Sequence, residues 1–547
     1  MKKPKSGPIF DSSDFPISAV RLSILKGTGV DVEELAEKPI IAVANSHTEF
    51  NPGHMHLRQL AERVKEGIQA AGGIPFEFNV PAACDGLTEG NEGMRFVLPQ
   101  RELIADLIEI HARSMLFDGI VMIASCDKII PGMIMAAARL DLATIFLTGG
   151  PGSFQIRFTP RMKGSISHRD YEDLRDKMAV ATCATCGSCE VMGTANTFQC
   201  LVEALGLSLP GSANVPAFHS EKLLWARRTG KRIVEMVEEG LTARKILSWK
   251  AIDNALTVDL AIGGSTNSTL HLPAIAHELG VDLPLSKINE LNREIPTLCG
   301  ISPSGPHGIQ DLYQAGGVLA VMKVLADDLF LDARTVTGEK LGEVLTRASV
   351  LDENVIRPRN KPFYPEGGTV VLFGNLAPEG AVIKQSAVDP EMHRFVGRAR
   401  VFEDESECLA AIREGNINDG EVLVIRNLGP KGGPGMPETL AVTMGLDLAG
   451  FKRVALVTDG RFSGATSGPC VGHVSPEAYV GGPIAAVREN DKIAIDIPGR
   501  TLELRIPDEE IQSRLKDWTP KPRKVPAGYM QRYVRMVSSA AKGAILE

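Results

Sequence analysis

The chain has 547 residues, of which 44% are apolar and 23% charged, and its formal net charge is −8 at pH 7. These proportions are typical of soluble globular proteins and exclude a disordered, collagen-like or coiled-coil chain. One hydrophobic core stops growing at roughly 250–300 residues, so we expect two or three domains. The acidic balance argues against a nucleic-acid partner bound through a broad basic surface.

The chain carries no recognisable export or membrane signal. Its start is basic, but no apolar stretch of signal-peptide length follows, and no apolar run is long enough to span a bilayer. Three of the nine cysteines, Cys183, Cys186 and Cys189, lie close together. In a long chain without a signal peptide, this pattern indicates metal or redox chemistry in a reducing compartment. We therefore expect a cytoplasmic protein without a membrane partner, or an organellar one whose import signal has been removed.

Short apolar segments alternate with amphipathic ones in the first third of the chain. Apolar side chains follow helical spacing from Leu57 to Ala71, and the pattern stops at Gly72 and Gly73. The predicted strands are residues 39–44, 76–83, 120–124 and 144–147, and the predicted helices are residues 57–71, 99–114 and 133–140. Strands that alternate with helices indicate a parallel sheet covered by helices.

The pattern changes in the second half of the chain. Residues 183–326 are predicted to be mostly helical, and a segment dense in Pro, Gly and charge follows at 355–368. Strands are expected at residues 369–373, 381–388, 421–426 and 453–458, with a hairpin at 492–506. The predicted fold class is therefore α/β. Residues 1–360 form a larger domain with a helix-covered parallel sheet, and residues 361–547 form a smaller β-rich domain.

Polar and thiol side chains follow three successive predicted strands of the first domain. They are Asn45-Ser46, Cys84-Asp85-Gly86 and Cys126-Asp127-Lys128. Ligands bind at the carboxyl ends of the strands in open α/β sheets. Ordinary loop composition would explain any one of these segments, but three together favour a functional site.

Three further segments have compositions that suit chemistry. The C-x₂-C-x₂-C spacing of Cys183, Cys186 and Cys189 suits iron–sulfur or zinc ligation, although no second Cys or His pair follows for zinc. The loops GPKGGPGMPE, with Glu438, and TDGRFSGATSG, with Ser463, lack the spacing of a phosphate-binding loop. Glu438 can bind a hard metal, although a lone Glu is more often solvated. Backbone N–H groups around Ser463 can stabilise its deprotonated form, and no triad partner marks it as a hydrolase nucleophile.

Motifs along nearly the whole chain resemble the iron–sulfur dihydroxy-acid dehydratase family, which includes sugar-acid and phosphogluconate dehydratases. The end, YVRMVSSAAKGA, resembles the dihydroxy-acid branch in particular. The other motifs are CDGLTEGNEGMRFVLPQRELIAD, SCDKIIPGM, TCGSCEVMGTANT, LGLSLPGS, GGSTNSTLHL, NLAPEGAVIK, GPKGGPGMPE, DGRFSGATSG and VGHVSPEA.

The resemblance implies a role for each matching residue. It implies an iron–sulfur cluster held by Cys126 and Cys189, and Ser463 as the catalytic base. It also implies a barrel-like C-terminal domain and a homodimer or dimer of dimers. The residues implied around a magnesium ion are Asp85, Asp127, Glu438 and Lys128, the last as a carbamylated, anionic oxygen ligand.

The chain departs from the 2Fe–2S branch of this family at one position. That branch has a Cys shortly after its first strand, whereas NPGHMHL places Gly53 there. The departure resembles the 4Fe–4S members, so a 4Fe–4S cluster is expected rather than a 2Fe–2S cluster. The third protein ligand is left open among Cys84, Cys183 and Cys186.

The resemblance implies a hydro-lyase that acts on a small molecule. The expected reaction dehydrates 2,3-dihydroxyisovalerate and 2,3-dihydroxy-3-methylvalerate to 2-oxo acids in valine and isoleucine biosynthesis. The alternative is a dehydratase of aldonic (sugar) acids giving 2-keto-3-deoxy acids, which Gln100 keeps open because the dihydroxy-acid branch usually has Ser there. A third hypothesis, a non-catalytic iron–sulfur or zinc protein such as a redox sensor, would not need Asp85, Lys128 or Ser463.

Overall fold

The structure is a computed structural model, and it describes residues 5–153, 176, 179, 183–464, 466, 468–520 and 524–547. Two sheets organise this part of the chain. The first is a four-stranded parallel sheet near the N-terminus, and the second is a closed eight-stranded barrel near the C-terminus. The predicted α/β class, with a helix-covered parallel sheet followed by a barrel-like β-rich region, is confirmed.

The N-terminal sheet has the strand order β2-β1-β3-β4. Its strands are β1 (Ile40–Asn45), β2 (Ile74–Asn79), β3 (Gly119–Ala124) and β4 (Ala143–Thr148). β1, β3 and β4 are buried along their whole length, as is typical of parallel strands between layers of helices. The four strands match those predicted, except that β2 starts two residues earlier and ends four residues earlier.

Fifteen α-helices lie among the described residues that precede the barrel. In chain order they are α1 (Ile17–Gly27), α2 (Val32–Glu37), α3 (Leu57–Ala70), α4 (Asp85–Thr88), α5 (Pro99–Met115), α6 (Ile129–Leu140), α7 (Thr194–Ala204), α8 (Ser220–Glu239), α9 (Ala243–Ile246), α10 (Trp249–Ala261), α11 (Ser268–Glu278), α12 (Leu285–Glu294), α13 (Ile309–Gln314), α14 (Gly317–Val324) and α15 (Leu341–Leu345). Helices α3 and α8 pack closely, because a Cβ on Gly67 would lie 2.1 Å from the Arg227 carbonyl oxygen. No described helix combines the length and hydrophobicity that a bilayer crossing requires.

The barrel closes in the strand order β10-β6-β5-β12-β11-β7-β8-β9. Its strands are β5 (Val370–Gly374), β6 (Ala377–Ile383), β7 (Arg394–Phe402), β8 (Glu421–Ile425), β9 (Ala455–Thr458), β10 (Cys470–Ser475), β11 (Lys492–Asp496) and β12 (Thr501–Leu504). The predicted hairpin is confirmed, since β11 and β12 pair antiparallel with Ile493 opposite Leu504. Strands β7 and β10 were not among the predicted strands. In β7 two of the inward positions are Gly397 and Ala399, whose small side chains weaken the alternating apolar pattern.

The barrel region carries four further helices, and the end of the chain packs back onto the N-terminal part. These helices are α16 (Glu405–Arg413), α17 (Leu440–Ala449), α18 (Asp508–Lys516) and α19 (Tyr529–Met536). Tyr533 of α19 is buried in a cluster with Leu98, Leu270 and Met436. The buried Arg101 guanidinium donates hydrogen bonds to the carbonyl oxygens of Gly543 and Ala544 at 2.8 and 2.9 Å. These contacts join the two sheet-containing parts.

Candidate active site

A buried lysine is surrounded by three carboxylates between the N-terminal sheet and the barrel. Lys128 is fully buried, and its ammonium donates hydrogen bonds to Asp85, to Asp127 at 3.1 Å and to Glu438 at 3.1 Å. One carboxylate oxygen from each acid lies within 4.8 Å of the others. Such pairing compensates the cost of burying charge. The structure thus brings together the four residues that the resemblance assigns to magnesium.

Strand ends and helix starts position these four side chains. Asp85 follows β2 and is the first residue of α4, whereas Asp127 and Lys128 lie between β3 and α6. The positive N-terminal end of α6 favours a carboxylate at Asp127. Glu438 lies two residues before α17 and forms an isolated parallel bridge with Arg461. The expectation that the ends of β2 and β3 deliver charged groups to one place agrees with this geometry.

Two residues that the sequence analysis did not single out also contact Glu438. Arg461 is fully buried, and it donates hydrogen bonds to Glu438 and to the Met436 carbonyl oxygen, the latter at 2.7 Å. Asn267 Nδ2 donates to Glu438 Oε1 at 3.0 Å. Three carboxylates and two cations therefore share the site, which leaves it formally one negative charge in excess.

The pKa values of Asp85 and Glu438 shift in opposite directions. Burial raises the pKa of Asp85, and Lys128 offsets this only in part. Burial also acts to raise the pKa of Glu438, but Lys128 and Arg461 outweigh it and hold that pKa well below its ordinary value. The pKa of Lys128 is raised, because Asp127, Asp85 and Glu438 outweigh burial and Arg461. Of Asp85 and Glu438, Asp85 takes up a proton more readily.

The two predicted cluster cysteines lie beside this group. Burial and then Cys84, Asp127 and Cys189 raise the pKa of Cys126 well above its ordinary value. Burial, Asp127 and Cys84 raise the pKa of Cys189 to about 12. Cys126 is half-buried, and Cys189 keeps an exposed surface. Because these cysteines raise one another's pKa values, the thiols of Cys84, Cys126 and Cys189 lie near one another and near the Asp127 carboxylate.

Position 53 is in direct contact with one of these thiols. A Cβ on Gly53 would lie 2.9 Å from Cys126 Sγ and 3.2 Å from Asn51 Oδ1. The Asn51 amide nitrogen lies 3.9 Å from the same sulfur. The residue type at position 53 therefore affects the surroundings of the Cys126 thiol.

The remaining cysteines divide into two sets. Cys183 is exposed and Cys186 half-buried, whereas the other four are all buried: Cys200, Cys299, Cys408 and Cys470. Among the thiols that raise the pKa of Cys126, Cys84 has the largest effect. Of the three candidates for a third cluster ligand, Cys84 raises the pKa of both Cys126 and Cys189, and Cys183 raises that of Cys189.

The loop with Ser463 lies against the segment that carries Cys189. A Cβ on Gly464 would lie 2.6 Å from Ser265 Oγ and 3.1 Å from the Cα of Gly193. Ser463 is partly exposed, and its carbonyl oxygen accepts a hydrogen bond from Thr466 N at 2.9 Å. Residues 465 and 467 of this loop lie outside the described residues.

Glu89 is a further ionisable residue near the carboxylates. Its Oε2 atom is buried and has no hydrogen-bond partner within the described ranges. Burial, Glu438 and Asp85 raise its pKa to about 10. The sequence analysis missed Glu89, Asn267 and Arg461, although all three lie within motifs quoted above. The signal that could have indicated these three residues was a polar side chain within a Gly-rich or Asp-Gly segment.

Comparisons with known proteins agree with this site. The family model described as dihydroxy-acid/6-phosphogluconate dehydratase N-terminal matches residues 38–344, and the corresponding C-terminal model matches residues 354–544. The chain is 49% identical over 543 residues to a dihydroxy-acid dehydratase of Methanococcoides burtonii, covering 96% of this chain and 97% of the relative. It is 50% identical over 543 residues to one of Caldanaerobacter subterraneus, covering 96% of each.

The fold and the site together define an enzyme of two sheet-containing parts with an acidic, thiol-flanked centre between them. The chain belongs to the dihydroxy-acid/6-phosphogluconate dehydratase family. The family prediction made from the motifs, and with it the hydro-lyase class, is confirmed. A metal-dependent dehydratase agrees with the carboxylates gathered around Lys128.

Proposed function

We propose that this protein dehydrates 2,3-dihydroxy-3-methyl carboxylic acids, namely 2,3-dihydroxyisovalerate and 2,3-dihydroxy-3-methylvalerate, to 2-oxo acids. The observation that carries the proposal is the buried contact of Lys128 with Asp85, Asp127 and Glu438, next to the Cys126 and Cys189 thiols. Relatives about half identical over nearly the whole chain are dihydroxy-acid dehydratases.

The donor set around Lys128 fits a magnesium ion. Carboxylate oxygens are the ligands that Mg²⁺ prefers, and one oxygen from each acid lies within 4.8 Å of the others. Carbamylation would change Lys128 from a cation to an anion. Because a divalent cation adds two positive charges, the carbamate together with Mg²⁺ has the same total charge as the present ammonium. The exchange therefore keeps the electrostatic balance of the site.

The thiols fit an iron–sulfur cluster, for which thiolates are the usual protein ligands. We propose Cys126, Cys189 and Cys84 as the ligands, since Cys84 is the thiol that most affects Cys126. We retain the expectation of a 4Fe–4S cluster, because Gly53 supplies no thiol at the position next to Cys126 Sγ. Iron content should fall in Cys84→Ser and stay unchanged in the matched Cys186→Ser. Unchanged iron in Cys84→Ser together with a loss in Cys186→Ser would exclude Cys84 as a cluster ligand.

Dehydration removes a proton from C2 of the substrate and the hydroxyl group from C3. When bound, the cluster would supply a Lewis acid for the departing hydroxyl, and magnesium would hold the carboxylate and the C2 hydroxyl. Ser463 Oγ would take the C2 proton, and the resulting enol would tautomerise to the 2-oxo acid. Serine is too weak an acid unless its site lowers its pKa. The Arg461 cation, two residues before Ser463, contributes positive charge to this loop.

The choice between a branched acid and an aldonic acid depends on the lining of the substrate pocket. Gln100, the residue that kept the aldonic alternative open, has a structural role here. Its Oε1 atom accepts a hydrogen bond from Ala83 N at 3.0 Å, which supports the segment just before Cys84. Its amide nitrogen is buried without a hydrogen-bond partner among the described residues. The relatives are named dihydroxy-acid dehydratases, which favours the branched acid over the sugar acid.

The proposal is tested with anaerobically reconstituted protein that holds iron, sulfide and Mg²⁺. We expect turnover of 2,3-dihydroxyisovalerate and no turnover of gluconate or arabinonate, measured as 2-oxo acid formation. Ser463→Ala should lose at least about 100-fold in kcat while it retains its iron. Turnover of aldonates alone would overturn the substrate, and an active Ser463→Ala would overturn the base.

Several finer features belong to the same proposal. The role in valine and isoleucine biosynthesis and the homodimeric or tetrameric assembly follow from the resemblance, and the cytoplasmic location follows from the cysteine pattern. The division between residues 360 and 361 also stays a prediction. It would assign the proposed base and Glu438 to the second domain, and the other magnesium ligands to the first.

A further inference from the structure

A second fully enclosed lysine bridges the two segments that carry the proposed cluster ligand and the proposed base. Lys384 directly follows β6 and is only 2% exposed. Its ammonium donates hydrogen bonds to the carbonyl oxygens of Met192 and Gly464, both at 3.2 Å. Met192 lies three residues after Cys189, and Gly464 directly follows Ser463.

We propose that Lys384 is a positioning residue that sets the distance between Cys189 and Ser463. The inference rests on the proposed function, because it assumes that Cys189 binds the cluster and that Ser463 is the base. A side chain that bonds both carbonyl oxygens holds two segments 272 positions apart in the chain in one arrangement. The Lys384 hydrogen bonds to Met192 and Gly464 reach backbone carbonyl oxygens, so Lys384 would act on the reacting groups through the segments that carry them.

The surroundings of these carbonyl groups support a positioning role. Asn196 Nδ2 donates to the carbonyl oxygens of Cys189 and Val191, the latter at 2.8 Å, so the cluster segment is held on a second side. The backbone at Gly464 lies so close to Ser265 that any side chain would collide with it. Gly464 is therefore bound by Lys384 through its carbonyl oxygen and lies against Ser265 on another side.

Lys384 keeps this bridge in either protonation state. Burial lowers its pKa to about 7, against the opposing effect of Asp259. The ammonium form has three N–H donors and the neutral amine has two, so both carbonyl oxygens have a donor in each form. The bridge therefore does not depend on the charge of Lys384.

Lys384→Met tests the proposal in the reconstituted holoenzyme, with Lys222→Met as the matched control. Lys222 is also fully buried and donates to the Ser212 carbonyl oxygen at 3.0 Å, away from the Ser463 loop. In Lys384→Met we expect kcat to fall about 100-fold, as a misplaced reacting group allows, with KM and iron content near wild type. The primary isotope effect with 2-deuterated substrate should rise, because removal of the C2 proton becomes slower than the other steps. Lys222→Met should show neither change.

Three outcomes would overturn the inference. They are wild-type kcat in Lys384→Met, a parallel loss of iron and activity, or an equal loss with the same isotope effect in Lys222→Met. If Lys384→Met does not fold, the activity of Lys384→Gln tests the positioning role instead. Its amide reaches one carbonyl, so a loss of about 10-fold with iron retained supports the bridge, and full activity rejects it. An active Ser463→Ala would reject the base and the positioning role together, whereas inactive Ser463→Ala with active Lys384→Met rejects only the latter.

Discussion

Replacing Arg461 by Met should destabilise the protein strongly, although Met retains much of the apolar volume of the side chain. Arg461 is fully buried, and its guanidinium donates to the Glu438 carboxylate and to the Met436 carbonyl oxygen. The substitution removes one of two cations that balance three carboxylates. Glu438 keeps Lys128 and Asn267 as partners.

The size of the effect follows from these contacts. Removing one partner of a buried ion pair costs roughly 3–5 kcal/mol, and the remaining partners of Glu438 favour the lower end of this range. The Met436 carbonyl oxygen loses its charged donor, which adds about 1 kcal/mol. We expect the free energy of unfolding to fall by about 4 kcal/mol at pH 7.

Urea unfolding followed by circular dichroism measures this loss, with Arg347→Met as the control. Arg347 also pairs with a glutamate, but its side chain is 58% exposed, so its loss should cost less than about 1 kcal/mol. The low pKa of Glu438 stabilises the folded state above the ordinary pKa of Glu, and this contribution is lost as the pH falls. The difference between wild type and Arg461→Met should therefore shrink in acid. Equal losses for the two variants, or a difference that grows in acid, would refute the reasoning.

Three further substitutions test other contacts. In Gly53→Ala the new Cβ would lie 2.9 Å from Cys126 Sγ, so the iron content after reconstitution should fall by at least half. The control is Gly27→Ala, whose new Cβ would have no atom within 4 Å, and it should keep the iron content of the wild type. Lys128→Met removes one of the two cations beside the three carboxylates, and the one that contacts all three. Its Tm should be far below wild type at pH 7 and closer to it at pH 5, where protonation relieves the repulsion; a constant Tm difference would contradict this. Gly435 has φ +82°, and a Cβ there would lie 1.8 Å from the Arg95 carbonyl oxygen. In Gly435→Ala the free energy of unfolding, measured in urea, should therefore fall by at least about 2 kcal/mol. An unchanged urea midpoint would show that the segments of Gly435 and Arg95 can move apart without cost.

Most of the N-terminal sheet could be predicted because its signals are local. Apolar runs such as β1 and β3, and the helical spacing of α3, reflect burial that each segment satisfies by itself. The same reasoning missed β7, where Gly397 and Ala399 face inward and leave no clear alternation. It also extended β2 past its end, since apolar residues continue after Asn79 in an irregular segment.

Some residues of the candidate site could be predicted from local signals, and others could not. Asp85, Asp127 and Lys128 were predicted from their places at the ends of parallel strands. Glu438 and Ser463 were noted from their glycine-rich loops, but their assignment as magnesium ligand and catalytic base came from the family resemblance. The glycine-rich DGRFSG context was the local signal for Arg461, but this context does not show whether the side chain is buried. The side chain is fully buried where it bonds Glu438 and the Met436 carbonyl oxygen, which lie more than twenty positions earlier in the chain.

The sequence by itself determined the class of the sheet, the family and the residue types available for chemistry. Only the tertiary structure decided which of those residues meet. Lys128 and Glu438 are 310 positions apart, and their contact at 3.1 Å exists because the barrel packs against the ends of the parallel strands. The cost of burying a charge without a partner then selects the arrangement in which each carboxylate finds a cation. That selection acts on the folded chain as a whole, so no local pattern records it.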